Sequence, residues 1–373
     1  MLTGRRLIYE SVCLLLICIA WCENGYFRYV QHMSCPCWPG YENGQPESNN
    51  ITKILVIADP HIMGPYKSYS IDKLRREWQM HQSFRFSTSS LEPDVIVFLG
   101  DLLDEGYYSS SSRFDKSCLE FEDVFLDYSR TPAKRVVVVG NHDAGFHYDI
   151  LENQRPLARF MSRFGTFDLI SRLSKSELEY LNLLVVNSML FYDESSPYHE
   201  TSTLWLNKFA LMLDAERKSQ KSTFISPIIF KHMPLYRGDD SACTYPESLA
   251  HKAKTQNEEG VDVLHRRATN LLLTKLKPRL VVSGHTHAKC SLQHKVDFGS
   301  ASTGHDWKFV KELTVPSYNH KYAEYKPGYL LLTVTPTDIY TKNCDMIDEM
   351  PILLVYSSMI VITITRFWTL YRR

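Results

Sequence analysis

Charge of a dominant sign is missing from this chain. Its 42 Lys and Arg residues balance 42 Asp and Glu, for a formal net charge of +0 at pH 7. Without a basic surplus no polyanion-binding surface is implied, and nothing points to nucleic acid. Cys-x-x-Cys pairs are also missing among the nine cysteines, so the spacing of paired-cysteine metal and thiol-redox motifs does not occur. Long apolar runs are confined to the two ends. Between them the chain is long enough for one large α/β domain, and a 44% hydrophobic share supports a sizeable core.

What the interior has is a set of short apolar strands that run into polar residues. Val136-Val137-Val138-Val139 reads as a buried strand, and Gly140 allows a sharp turn and a close approach to a bound ion before Asn141-His142-Asp143. Alone, this block could be a hydrogen-bonded loop. Four more strands end the same way: 54–58 into Asp59-Pro60-His61, 95–99 into Gly100-Asp101, 228–230 into Lys231-His232, and 280–283 into Gly284-His285-Thr286-His287. In an open α/β sheet, ligand chemistry collects outside the carboxyl ends of the strands. Five strands ending in groups that bind metal or move protons therefore predict one active site.

Helices are predicted over 71–86 and 113–128, so the first half alternates β-α-β-α-β and argues for a layered sheet with helices on its faces. Beyond Asp143 the short segments 167–171 and 183–187 suggest antiparallel pairing. Helices over 203–218 and 261–275 follow, and strands over 292–297, 312–315 and 329–334 complete a second sheet. The polar insertion 238–260, beside His232, is a candidate substrate-recognition lid, or else a plain surface insertion.

Arg5 and Arg6 precede an apolar run over 7–22, broken by Glu10 and extended by Tyr26, Phe27 and Tyr29. An anchor over 1–30 is the preferred reading. A cleaved signal peptide is the alternative, with Ala20 and Cys22 as small residues before Glu23. A linker over 31–50 and a catalytic domain over 51–340 follow, then an apolar span over 351–371 in which Arg366 would snorkel. Both apolar runs carry arginines on their outer sides, which predicts cytosolic termini and a luminal interior. The sequon Asn50-Ile51-Thr52 agrees with that topology. So do Cys35, Cys37, Cys118, Cys243, Cys290 and Cys344, an even set that permits disulfides without revealing their pairing.

In order and spacing, Asp59-x-His61, Gly100-Asp101, Gly140-Asn141-His142-Asp143, His232 and Gly284-His285-x-His287 resemble the five blocks of the calcineurin-like metallophosphoesterase superfamily. The resemblance covers residues from about 53 to 335. It implies an α/β fold, a four-layer αββα sandwich, with two divalent metal ions at the strand ends, here joined to a transmembrane helix at each terminus. It implies Asp59, His61, Asp101 and His287 as ligands of one ion, and Asp101, Asn141, His232 and His285 as ligands of the other. His142 would be the general acid for the leaving oxygen, a task suited to imidazole, and Asp104 the carboxylate that orients it. Oxygen and imidazole ligands suit manganese, iron or zinc better than calcium. Two such ions about 3.5–4 Å apart clamp a phosphoryl group and make hydroxide available near neutral pH.

Phosphoprotein phosphatases of the superfamily carry arginines beside the second and third blocks, where this chain has Glu105 and Ala144. A phosphodiester has one negative charge and needs less cationic help, so the site leans toward diesters. Residues 100–106, 140–148 and 232–237 and the two terminal spans further resemble a membrane-bound branch of the superfamily. That resemblance implies a manganese enzyme that removes the ethanolamine-phosphate side branch from the second mannose of glycosylphosphatidylinositol (GPI) anchors. Its partners would be GPI-anchored proteins, through their glycan, the early secretory membrane, and cargo receptors of endoplasmic-reticulum exit. Its location would run from exit sites through the intermediate compartment to the cis-Golgi. The lysine-based retrieval tail of that branch is absent; the chain ends Tyr371-Arg372-Arg373. The competing readings are a dimetal phosphomonoesterase for another luminal substrate and a non-catalytic adaptor on the same fold.

Overall fold

One helical rod leads into the molecule. Helix α1 (Leu2–Ala20) passes through a π-helical turn (Trp21–Gly25) into α2 (Tyr26–Ser34) without a break. The structure, a computed structural model, describes residues 2–42, 50–64, 70–125, 132–165, 170–172, 181–191, 198–220, 224–244, 256–298, 307–321 and 326–371. The outer face of α1 is apolar and exposed at Ile8, Leu16 and Ile17, whereas Phe27 and Gln31 of α2 are buried. The rod therefore ends inside the catalytic domain. The segment assigned to a linker is also anchored: Cys35 forms a disulfide with Cys344, and buried Trp38 donates from Nε1 to the Leu91 carbonyl at 2.7 Å.

Strands β1 (Thr52–Ile57), β2 (Val95–Phe98) and β3 (Lys134–Val137) pair in parallel, linked by α3 (Ser70–Leu91) and α4 (Ser111–Phe125). On α4, Phe114, Cys118, Phe121 and Phe125 recur at helical spacing and are buried. Rings of Phe121 and Phe125 pack edge-on to Phe98 of β2 at 5.2 and 5.3 Å, with Phe84 of α3 at 6.4 Å. Residues 126–128 of the predicted helix lie outside the described residues. Short helices α5 (Asn141–Ala144), α6 (His147–Glu152) and α7 (Arg155–Phe164) follow β3.

The second sheet contains β4 (Ile170–Arg172), β5 (Leu183–Val186), β6 (Ile228–Lys231), β7 (Leu280–Ser283), β8 (Cys290–Asp297) and β9 (Trp307–Thr314), in the order β4-β5-β6-β7-β9-β8. It is mixed: β4 pairs antiparallel with β5, as segments 167–171 and 183–187 suggested, and β8 with β9. Strands β5, β6 and β7 are parallel because α8 (Tyr198–Ser219) and α9 (Arg266–Leu276) serve as crossovers, and β9 is parallel to β7. Helix α9 begins five residues later than its apolar pattern predicts.

Strands β10 (Gly328–Val334) and β11 (Ile339–Asp345) add antiparallel to β1, giving the first sheet the order β11-β10-β1-β2-β3. The sheets meet through Ile54, Val56, Val97 and Leu332 from one and Val185, Phe230, Val282 and Leu313 from the other. Each such side chain contributes about 1.5–3 kcal/mol on burial. Helix α10 (Glu349–Tyr371) closes the chain, and it and the leading rod are the two candidate membrane spans.

Candidate metal centre

The carboxyl ends of β1, β2 and β3 meet those of β6 and β7 at one edge of the sandwich. Asp59, His61, Asp101, Asn141, His232, His285 and His287 all gather there, with His142 and Asp104 alongside. Ligand-capable atoms of Asp59, His61 and His287 lie within 4.8 Å of one another, and so do those of Asp101, His232 and His285, and of His61, Asp104 and His142. Asp59, His61 and His232 are fully buried, and Asp101 is nearly so.

The backbone works to aim these groups. Among the described residues, eight non-glycine positions have left-handed φ, and five of them are Asp59 (51°), His61 (45°), Asp101 (50°), His285 (73°) and His287 (60°). Such conformations cost of order 1–3 kcal/mol each and persist only where surrounding contacts impose them. The contacts are visible. His285 N–H donates to Asp59 Oδ2 and His142 N–H to Asp101 Oδ1, both at 2.8 Å, while buried Asp143 accepts from Leu103 and Gly140 N–H at 3.0 Å. Gly140 is required sterically, since a Cβ there would lie 2.2 Å from Asp101 Oδ1.

The imidazoles are held with bare nitrogens facing inward. His232 Nδ1–H donates to the Leu99 carbonyl at 2.7 Å, and His285 Nε2–H to the Val261 carbonyl at 2.6 Å. In the neutral rings, His232 Nε2 and His285 Nδ1 are then unprotonated, yet they face each other at 3.2 Å. Asn141 Oδ1 at 3.0 Å and Asp101 Oδ2 at 3.4 Å crowd the same His232 nitrogen. His61 Nε2 and His287 Nε2 are likewise 3.2 Å apart. Lone pairs converge this way only around positive charge, so the donor set fits divalent cations.

The electrostatics carry the same sign. Burial would lower His232, but the charges of Asp101 and Asp59 outweigh it and push the ring up to about 9. Burial would raise Asp101, but His232 and His142 hold it well below the usual carboxylate range. Burial pulls His61 down to about 4 and His285 to about 3, keeping both rings neutral and able to bind a cation. Divalent ions held here supply Lewis acidity toward phosphoryl oxygens and a water acidic enough to act as a nucleophile.

His142 is oriented differently from the expectation for Asp104. Its Nδ1–H donates to the Asp104 main-chain carbonyl at 2.9 Å, whereas the carboxylate is 3.6 Å away. That carboxylate lies nearer His61 Nδ1, at 3.3 Å, and accepts from Lys321 Nζ at 2.6 Å. Burial alone would raise Asp104, but His61 and Lys321 hold it far below its ordinary value. With Nδ1 committed, His142 offers Nε2 for proton transfer.

Lys321 belongs to a loop that the motif reading missed. Ser317 Oγ donates to the Asp59 carbonyl at 2.8 Å, and Asn319 Nδ2 donates to the carbonyls of Pro60 and His61 at 2.8 and 3.2 Å. Ser317 and Asn319 follow β9 just as the recognised blocks follow their strands, and that shared position was the available signal. The predicted lid is pinned at its described flanks by the Cys243–Cys290 disulfide and by Asn257 N–H to the Gly238 carbonyl at 2.8 Å; its central residues 245–255 lie outside the described residues.

A pair of strand-end half-sites between two packed sheets defines the class. The calcineurin-like phosphoesterase family matches residues 52–289, and the chain belongs to that family. It is a dimetal phosphoester hydrolase. More particularly, it is similar to proteins named Metallophosphoesterase 1. The one from Xenopus laevis is 29% identical over 358 residues, covering 92% of this chain and 84% of the relative. That of Danio rerio is 28% identical over 370 residues, covering 94% and 91%, and that of Rattus norvegicus 29% over 372 residues, covering 95% and 88%. Among solved structures, purple acid phosphatase PPD1 from yellow lupin (Lupinus luteus) seeds aligns with a TM-score of 0.44 and 12% identity, over 81% of this chain and 55% of that one.

Proposed function

We propose that this hydrolase is a manganese-dependent phosphodiesterase that removes ethanolamine-phosphate from the second mannose of GPI anchors. In this reading Asp59, His61, Asp101 and His287 hold one ion, and Asp101, Asn141, His232 and His285 the other. His142 protonates the leaving oxygen from Nε2.

Glu105 carries the proposal. It is only 6% exposed, neither carboxylate oxygen has a hydrogen-bond partner among the described residues, and a Cβ on Gly64 would lie 2.2 Å from it. A buried carboxylate without a partner is costly, and a substrate ammonium relieves that cost. Its chain neighbour Asp104 supplies the carbonyl that holds His142, so the acid sits one residue from the group that orients the proton donor. The lid carboxylates are less suited to help: Asp240 is buried against Arg237 Nε at 2.7 Å, and Asp239 accepts from Ser241 N–H at 2.9 Å. Lys321 is paired with Asp104, which favours a diester monoanion over a monoester dianion.

Two disulfides and an exposed sequon asparagine support a luminal catalytic domain with both termini cytosolic. The location would be the membrane of the early secretory pathway, from exit sites to the cis-Golgi, with GPI-anchored proteins as substrates and exit cargo receptors as partners. The test is turnover of an ethanolamine-phosphate mannoside against a methyl-phosphate mannoside, which lacks the ammonium. Wild type should prefer the former and Glu105→Gln should lose that preference by about tenfold or more, roughly the 1.5–3 kcal/mol of a hydrogen bond to a charged group. An unchanged ratio would discard the role of Glu105, and hydrolysis of phosphomonoesters alone would discard the diesterase.

A further inference from the structure

Five side chains meet where the terminal helices join the catalytic domain: Glu23 in the π turn, Arg75 and Trp78 on α3, and Glu349 and Tyr356 on α10. Arg75 donates from Nη1 to Glu23 Oε2 and from Nε to Glu349 Oε1, both at 2.7 Å. Trp78 Nε1 and the Tyr356 hydroxyl also donate to Glu23, at 2.7 and 2.5 Å. One guanidinium thus clasps both terminal helices to α3 with charge-assisted bonds.

The clasp marks a boundary in polarity. Before it, α1 presents exposed apolar side chains; after it, Gln31 is buried and accepts from Ser87 Oγ and the Tyr329 hydroxyl. On α10, Ile352 is buried while Leu353, Leu354, Val361 and Ile364 face outward. Trp21, Tyr29 and Trp78 are exposed around the ring, the composition of a headgroup zone.

The same clasp adjoins the metal centre through three consecutive residues. Asn319 binds the carbonyls of Pro60 and His61, and Lys321 binds the Asp104 carboxylate. Between them His320 is half-buried, within electrostatic reach of Glu349, Arg76, Asp348 and Arg75. Arg75 lies in the second turn of α3, the helix that follows the carboxyl end of β1, so the clasp and the metal centre share one end of the sandwich.

We infer that the clasp sets the height and tilt of the metal centre above the bilayer, with Arg75 as the positioning residue that brings lipid-borne phosphodiesters into register with it. The inference rests on the diesterase reading. Full-length enzyme in phosphatidylcholine vesicles tests it with two probes: soluble bis(4-nitrophenyl) phosphate, and a 4-nitrophenyl phosphodiester joined to a diacyl lipid by polyproline spacers of increasing length. For wild type, turnover of the lipid probe should fall at least tenfold once the spacer passes about ten prolines, roughly 31 Å. Arg75→Gln should cost at least tenfold in kcat/KM on the short-spacer probe and under twofold on the soluble one, with partial recovery in Arg75→Lys. Spacer-independent turnover by wild type, or equal losses on both probes, overturns the inference. Hydrolysis of neither probe by wild type removes the diesterase reading itself, and this inference with it.

Discussion

The inward nitrogens of His232 and His285 make sharp demands at the residue scale. Because their outer N–H groups are fixed to the Leu99 and Val261 carbonyls, His232→Ala should lose about one of two bound metals by elemental analysis. His142→Asn should keep both and lose kcat by about 10²- to 10⁴-fold, the usual worth of general acid catalysis. A separate prediction concerns pH. Burial pulls His320 down to about 4, below an unfolded value near 6.5. Its contribution to stability is therefore complete above about pH 6.5 and is lost as pH falls toward about 4. The gap of about 2.5 pH units is worth up to about 3 kcal/mol. Melting curves at pH 7 and pH 4.5 should show a smaller loss for His320→Gln than for wild type; equal losses would refute the assignment.

At the scale of elements, the strands that end in motif residues were legible because β-branched runs between turn residues leave few alternatives. β11 was not: Ile339, Tyr340, Thr341, Lys342 and Asn343 are largely polar, as an edge strand permits, and it runs past the predicted boundary at 340. Its place was also hidden because no local pattern announces a bridge between Cys35 and Cys344, which are 309 residues apart. Cys344→Ser should destabilise the protein by about 2–5 kcal/mol, measured by denaturant unfolding. Cys37→Ser is the control, since Cys37 is a free thiol.

For the whole molecule, the metal centre is a seam. Asp59, His61, Asp101 and Asn141 come from the ends of one sheet, and His232, His285 and His287 from the other, so cations bridging them tie the halves together. Chelation should lower Tm, and restoring a divalent metal at about 100 times its Kd should return about 2.7 kcal/mol per site. An unchanged Tm would deny that bridging role. The motif residues could be read from sequence because each follows its own strand and is of a metal-binding type; Ser317 and Asn319 share that position without that chemistry, and Lys321 and Val261 act through partners far along the chain. The π turn at Trp21–Gly25 has a bearing on this seam. A π turn holds one residue more than an α-helical path over the same length, and each residue advances a helix by about 100°. Deleting one residue there would restore ordinary winding and leave Leu2–Ala20 facing as before, whereas deleting one residue from the α-helical stretch Tyr26–Ser34 would swing that leading span about 100° around its axis.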